Sequence, residues 1–183
     1  MKRLFLGIPL PLEQNRQLQS FIEPYKAHSK VKDAKWVPAE NFHLTTLFLG
    51  DVPDSLIPEV KSFARAVCAK IPRFMMTPKR VSLFPETGMA KMIWLKFERS
   101  LEYQELCSEL LRFLKTSLPD LEVKESIAHL NLARLRTSVD GKALSFKPVE
   151  MDSFEVTESV LWESTLTPEG SVYTELERYP HDL

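Results

Sequence analysis

Phe42-His43-Leu44-Thr45-Thr46-Leu47-Phe48-Leu49, residues 42–49, sets apolar side chains among polar ones and is rich in β-formers, and Gly50-Asp51 ends it. Such a run reads as a strand with one face buried. A second segment, Ala128-His129-Leu130-Asn131-Leu132-Ala133-Arg134, has nearly the same frame. Each presents a histidine, an apolar residue, then a small hydroxyl or amide. Side chains alternate across a strand, so His43 and Thr45 share one face, about 7 Å apart along the chain. His129 and Asn131 do the same, while Leu44 and Leu130 turn to the opposite, core side.

Working outward from these strands, residues 3–8 read as a first strand and Pro11 opens a helical stretch. Its apolar face is Leu12, Leu18, Phe21, Ile22 and Tyr25, and Pro24 is expected to bend or end it. Trp36 and Val37 start a short extended piece that Pro38 stops. Residues 53–69 and 101–114 carry apolar residues at helical spacing. Residues 74–76, 80–84, 91–97, 127–135 and 153–162 read as further strands, with a turn at 85–88. Thr167-Pro168-Glu169-Gly170 signals a turn before a returning strand at 172–176. Helices alternate with strands, but the hairpins demand antiparallel pairing. The order predicts an α+β protein of two similar lobes rather than a doubly wound parallel sheet. The repeated histidine frame points to a weak internal duplication, and residues 1–183 are expected to form a single bilobal domain.

Composition narrows the class. The chain has 183 residues, with 24 Lys plus Arg against 25 Asp plus Glu, and 44% hydrophobic residues. That balance excludes a disordered chain. It argues against a protein that coats long nucleic acid, yet allows an enzyme that grips one phosphate or one nucleotide end. Cys68 and Cys107 lie in helical segments and read as reduced, buried thiols. No four-cysteine zinc framework is possible. The opening MKRLFLGIPLPLEQ reads as a strand and a turn, not a signal peptide. A cytoplasmic protein without membrane association is expected.

Two imidazoles with two neutral donors suit in-line hydrolysis of a phosphodiester. A neutral histidine takes a proton from the attacking water, and a protonated one gives a proton to the leaving oxygen. Thr45 and Asn131 can donate to the non-bridging oxygens, and Arg134 can pair with a phosphate. A His-apolar-hydroxyl triplet arises by chance at roughly one in twenty histidines, so a single frame would carry nothing and the pair is what counts. From the residues alone, three readings stand: an acid–base pair, two structural histidines, or a metal pair. The last lacks a third ligand at metal spacing.

The chain resembles the 2H phosphoesterases, specifically the LigT-like RNA 2',3'-cyclic phosphodiesterases, historically called 2'-5' RNA ligases. That family carries two His-x-Thr/Ser-x motifs, which here look like His43-Leu44-Thr45-Thr46 and His129-Leu130-Asn131-Leu132. RLFLGIPLP, residues 3–11, resembles its opening strand. KWVPAENFHLTTLFLGDV, residues 35–52, is close to its first motif block. MIWLKF, residues 92–97, resembles a middle strand, and residues 154–179 resemble the closing hairpin.

The resemblance implies two pseudo-symmetric lobes of antiparallel sheet, with helices outside, flanking a central cleft. It implies hydrolysis of a terminal 2',3'-cyclic phosphate on RNA to a 2'-phosphomonoester, without metal or cofactor, and a reversible 2'-5' joining of RNA ends such as tRNA halves. His43 and His129 would be catalytic, with His129 the base and His43 the acid by motif position. Thr45, Asn131 and Arg134 would bind phosphate. The departure is Asn131, where the family has Thr or Ser. It keeps a donor but is longer and adds an acceptor. Two other readings follow: a weak RNA-end or nucleotide-binding module, or a phosphodiesterase for small cyclic nucleotides.

Phe48 and Phe84 are candidates for stacking a base, against a core role as the usual fate of Phe. Trp36 reads as a packing residue. Lys26, Lys30, Lys32 and Lys35 form a basic run that reads as a solvated loop or a guide for RNA. His28 and His181 have no motif around them. A monomer is expected.

Overall fold

A computed structural model of the chain describes residues 1–119, 127–168 and 170–182. They form ten strands and three α-helices: β1 (Lys2–Pro9), α1 (Leu12–Lys26), β2 (Lys35–Trp36), β3 (His43–Val52), α2 (Ile57–Cys68), β4 (Phe74–Met76), β5 (Pro78–Phe84), β6 (Met89–Phe97), α3 (Leu101–Leu114), β7 (His129–Asp140), β8 (Phe154–Val156), β9 (Glu158–Leu166) and β10 (Ser171–Pro180). The expected α+β class with antiparallel pairing is found.

The main sheet runs β10-β9-β1-β3-β7-β6-β5, every neighbouring pair antiparallel, and β4 pairs with β8 in a second, two-stranded sheet. It is two half-sheets, β10-β9-β1-β3 and β7-β6-β5. They meet at one paired position, Leu44 opposite Leu130. Where β3 diverges from β7, the short β2 takes its place, pairing Lys35 with Arg134 and Trp36 with Ala133. Leu44 and Leu130 are both fully buried, so the seam rests on the core side.

The helices lie on that core side because their apolar stripes need a cover. Leu18 and Ile22 of α1, Val60, Ala64 and Val67 of α2, and Leu106, Leu110 and Leu114 of α3 all enter the core. Helices α2 and α3 pack on each other, α3 also against β3, and α2 against β9 and β10. Ser100 caps α3 by accepting from the Tyr103 amide at 3.1 Å. Pro24 sits inside α1 but does not end it. The proline falls in the last turn, so only the final residues follow the hydrogen bond it removes.

Other boundaries differ from expectation: β3 runs through Gly50 and Asp51 to Val52 because β1 pairs with it that far, and α2 opens only at Ile57. The second-motif strand runs to Asp140, five residues further, because β6 pairs with it as far as Met89. The stretch 153–162 is two strands, β8 and β9, belonging to different sheets. The closing hairpin is longer than expected, and of its turn residues Glu169 lies outside the described residues. Cys68 and Cys107 are both buried and form no disulfide with each other. His181, given no role, is buried and hydrogen-bonds Ser159 Oγ through Nε2 at 2.9 Å.

Gly7 on β1 pairs with Thr45 of the first histidine strand. A Cβ there would lie 2.5 Å from the Leu44 carbonyl oxygen and 3.2 Å from the Trp162 ring. The clash is with backbone, which cannot swing away. Gly7→Ala is therefore expected to cost about 1–3 kcal/mol, read from the denaturant midpoint, and an unchanged midpoint would contradict this packing.

Candidate active site

The seam places the two motifs side by side. Counting antiparallel from Leu44–Leu130 sets His43 towards Asn131 and Thr45 towards His129. Both leucines point into the core, so these four side chains share the opposite face.

Each ring is held the same way. His43 Nδ1 lies 2.7 Å from the carbonyl oxygen of Asn41, and His129 Nδ1 lies 2.8 Å from that of Ile127. A carbonyl oxygen only accepts, so Nδ1 carries the proton and donates it in both. Nε2 is then the free nitrogen of each neutral ring. His43 Nε2 sits 3.1 Å from Thr45 Oγ1, whose hydroxyl donates to it. Asn41 is itself fixed, since its Nδ2 donates to the Ser171 carbonyl at 3.1 Å and so ties β10 to the first motif.

Behind β3, the buried Tyr103 hydroxyl of α3 donates to the Thr45 carbonyl at 2.8 Å. That carbonyl stands next to a bulge. Gly7 pairs with Thr45 and Leu6 with Leu47, leaving Thr46 as the extra residue. The second motif carries a bulge at the same place. Trp94 pairs with Asn131 and Ile93 with Ala133, leaving Leu132 extra. A bulge inserts one residue and resets the alternation beyond it. Phe48 therefore returns to the face of Thr45, and Arg134 to the face of Asn131. Strict alternation would send both to the core side.

The structure thus brings His43, Thr45, Phe48, His129, Asn131 and Arg134 to one face. Phe48 is 49% exposed there, so the core role is not its fate, and the Arg3 guanidinium lies 5.1 Å from its ring centre. Lys35, from the basic run, pairs with Arg134 and joins this face. Phe84 stacks on Trp94 at 3.5 Å between ring centres instead of standing free. Trp36 packs against the core, as read.

The rings around the two histidines escaped sequence reading. His43 is surrounded by Phe5, Trp162 and Tyr173, with centres 4.9, 5.5 and 5.3 Å away. His129 stacks on Trp94 at 3.8 Å. Trp94 was legible only as part of a strand, and Trp162 and Tyr173 only as hairpin residues. Their meeting with the motifs depends on strand order.

Both imidazoles are held below their usual pKa. For His43 burial is the main cause and brings it to about 4; the Asn41 bond works upward and a charge on His129 downward. For His129 burial again leads, the Ile127 bond opposes it, and the charge of Lys96 lowers it further. Two atoms of the site are buried without a partner, Asn131 Oδ1 and Trp94 Nε1. Among the described residues no three His, Cys, Asp or Glu side chains converge as a metal site, and no helix is long and apolar enough to cross a membrane. Recesses of about 300 and 260 Å³ open beside Arg178 and under residues 29–34. Neither is lined by a residue of the histidine face.

Residues 8–94 match the family described as LigT like Phosphoesterase. An RNA 2',3'-cyclic phosphodiesterase from Methanocaldococcus jannaschii is 28% identical over 179 residues, spanning 93% of this chain and 96% of the relative. Another of the same name from Thermotoga maritima is 29% identical over 181 residues, spanning 93% and 91%. The crystal structure of E. coli LigT in apo form has the same fold, with a TM-score of 0.80 at 24% identity over 100% of this chain and 98% of that one.

A pKa near 4 fixes the resting state of His43 as neutral at pH 7. Its ring resonances are expected to titrate near pH 4 by NMR, well below an ordinary histidine, and the midpoint is expected to rise when inorganic phosphate binds beside it. The same shift makes folding pH-dependent. The unfolded chain takes up this proton near pH 6.5 and the folded chain only near 4, so stability is lost as pH falls through that window.

Proposed function

We propose that this chain, a LigT-like phosphoesterase, hydrolyses a terminal 2',3'-cyclic phosphate on RNA to a 2'-phosphomonoester. The observation that carries the reading is the paired histidine geometry. Two imidazoles on adjacent antiparallel strands have Nδ1 tied to the carbonyl two residues upstream and Nε2 left for chemistry on one shared face. The relatives from M. jannaschii and T. maritima bear the name of that activity.

In this mechanism the cyclic phosphate rests between His43 and His129. Thr45 turns its hydroxyl from His43 Nε2 to one non-bridging oxygen, and the Asn131 amide donates to the other. Water attacks phosphorus in line with the 3' oxygen. His129 Nε2 accepts the water proton as the P–O bond forms. The P–O3' bond breaks, and His43 Nε2 delivers a proton to the 3' oxygen. The product keeps phosphate on the 2' oxygen. Solvent then takes the proton from His129 and supplies one to His43, which resets the pair.

The anion is what makes His43 an acid. Alone, burial keeps it neutral, but a bound phosphate offers the opposite charge and favours the imidazolium. The surrounding Phe5, Trp162 and Tyr173 rings favour a cation at His43 as well. Lys96 discourages a second cation at His129, leaving it as the base. Arg134, exposed on the same face, meets a neighbouring phosphate. A 5'-hydroxyl in the place of water would join two RNA ends by a 2'-5' linkage.

An RNA ending in 2',3'-cyclic phosphate is expected to yield a 2'-phosphate end, resolved by end-group analysis, at a rate unchanged by EDTA. His43→Ala and His129→Ala are each expected to lower kcat by about 10²–10⁴ with the fold intact; full activity in either sinks the reading. Faster turnover of a mononucleoside 2',3'-cyclic phosphate than of an oligonucleotide would point to a small-molecule enzyme, and binding without turnover to a binding module. Asn131→Thr should stay within about tenfold of the native rate, and Asn131→Leu should fall by about 10², since only the latter lacks a donor.

A further inference from the structure

Lys96 has no part in the motifs, yet it stands directly opposite His129 on the neighbouring strand. Met92, Trp94 and Lys96 alternate onto one face of β6, the face on which Trp94 meets Asn131 and Lys96 meets His129. The Lys96 side chain is only 21% exposed, and its ammonium lies 5.9 Å from the Phe84 ring centre.

The ammonium is held in place. Glu86, in the turn after β5, binds Lys96 Nζ at 2.5 Å, Arg80 at 2.7 Å and the Ser82 hydroxyl at 3.2 Å. These partners hold the Glu86 carboxyl below its usual range, Lys96 foremost, so it is charged at neutral pH. Two cations on one carboxylate leave one positive charge beside His129.

Among the described residues, the charged and titratable groups around His129 are Lys96 from β6, Arg80 from β5, Glu86 from the turn, His43 from β3, Arg134 from β7 and Lys35 from β2. Glu86 is the one carboxylate in this set, and its bonds go to Lys96, Arg80 and Ser82. His43 has no lysine or arginine opposite it in register; its neighbours are Pro9 on β1 and Asn131 on β7.

We infer that Lys96, fixed by Glu86, is a positioning residue for this site: its charge, set opposite His129, favours the unprotonated form of that imidazole which a general base requires. The inference rests on the hydrolytic reading above for its meaning, but the electrostatic pairing exists without substrate. A cation close to an imidazole disfavours the imidazolium, and the partly buried setting limits screening. The same charge adds attraction for an anionic substrate, a role that any cation there would share.

The test is the titration of His129 followed by NMR in the ligand-free protein, together with the pH profile of kcat/KM. In Lys96→Met the His129 midpoint and the acidic limb of the profile are expected to move to higher pH. The value of kcat/KM at pH 7 should fall about tenfold. Lys96→Arg should restore both. Glu86→Gln should move the His129 midpoint the opposite way, to lower pH, because the remaining cations lose their counter-charge.

Opposite displacements cannot come from general loosening of the site. The inference is overturned if His129 titrates unchanged in Lys96→Met, or if the Met and Gln variants move it in the same direction. Should Lys96→Met not fold, the direction seen in Glu86→Gln decides. If the native protein does not hydrolyse the cyclic phosphate while His129 still responds as stated, the electrostatic pairing stands and the hydrolytic reading falls.

Discussion

Leu44 opposite Leu130 is the one paired position that joins the two halves of the main sheet. Both side chains are driven into the core, where Leu burial stabilises by about 1.5–3 kcal/mol each relative to exposure. Because side chains alternate, sinking these two leucines forces their neighbours His43, Thr45, His129 and Asn131 onto the far face. The site therefore follows from core packing. Nothing at the polar face has to hold the strands together, which leaves the four polar groups free for a ligand. Tyr103 and Gly7 maintain the same arrangement from behind and beside, one by a hydrogen bond to the Thr45 carbonyl and the other by leaving room for Leu44.

The two halves repeat one another in detail. Each histidine donates Nδ1–H to the carbonyl two residues before it, and each motif ends in a one-residue bulge. Each bulge returns the residue five positions after the histidine to the site face. In one half that residue is Phe48, an exposed ring with Arg3 beside it; in the other it is Arg134, paired in register with Lys35. The duplicated frame thus yields an apolar, stacking side and a cationic side. An RNA end, with a base on one side and a backbone phosphate on the other, has the same two-sided character.

The environments of the two rings also differ in a way that matters for acid–base work. His43 is enclosed by Phe5, Trp162 and Tyr173, while His129 lies flat on Trp94 with Lys96 across the ladder. Burial alone pushes both towards the neutral form, and two neutral imidazoles make no acid. In the proposed reaction a bound anion supplies the missing bias, which couples protonation of the site to its occupation.

Much of this was legible in the sequence, for reasons tied to short-range chemistry. Alternation within residues 42–49 and 128–134 located both strands, both histidines and the small donors that share their face, since a strand's period depends only on backbone geometry. Helical spacing placed α3 at its observed bounds, and the hairpins carried the antiparallel class. Other features depended on which strands became neighbours. Pairing with β1 and β6 created the bulges at Thr46 and Leu132 that return Phe48 and Arg134 to the site. Strand order brought Trp162, Tyr173 and Trp94 against the imidazoles, and set Lys96 opposite His129. The paired histidine frame and its small donors could be read from the chain, because local periodicity and side-chain type are properties of the chain alone. Their register, burial and charge environment come from the folded molecule, because these arise where segments distant in the chain pack together.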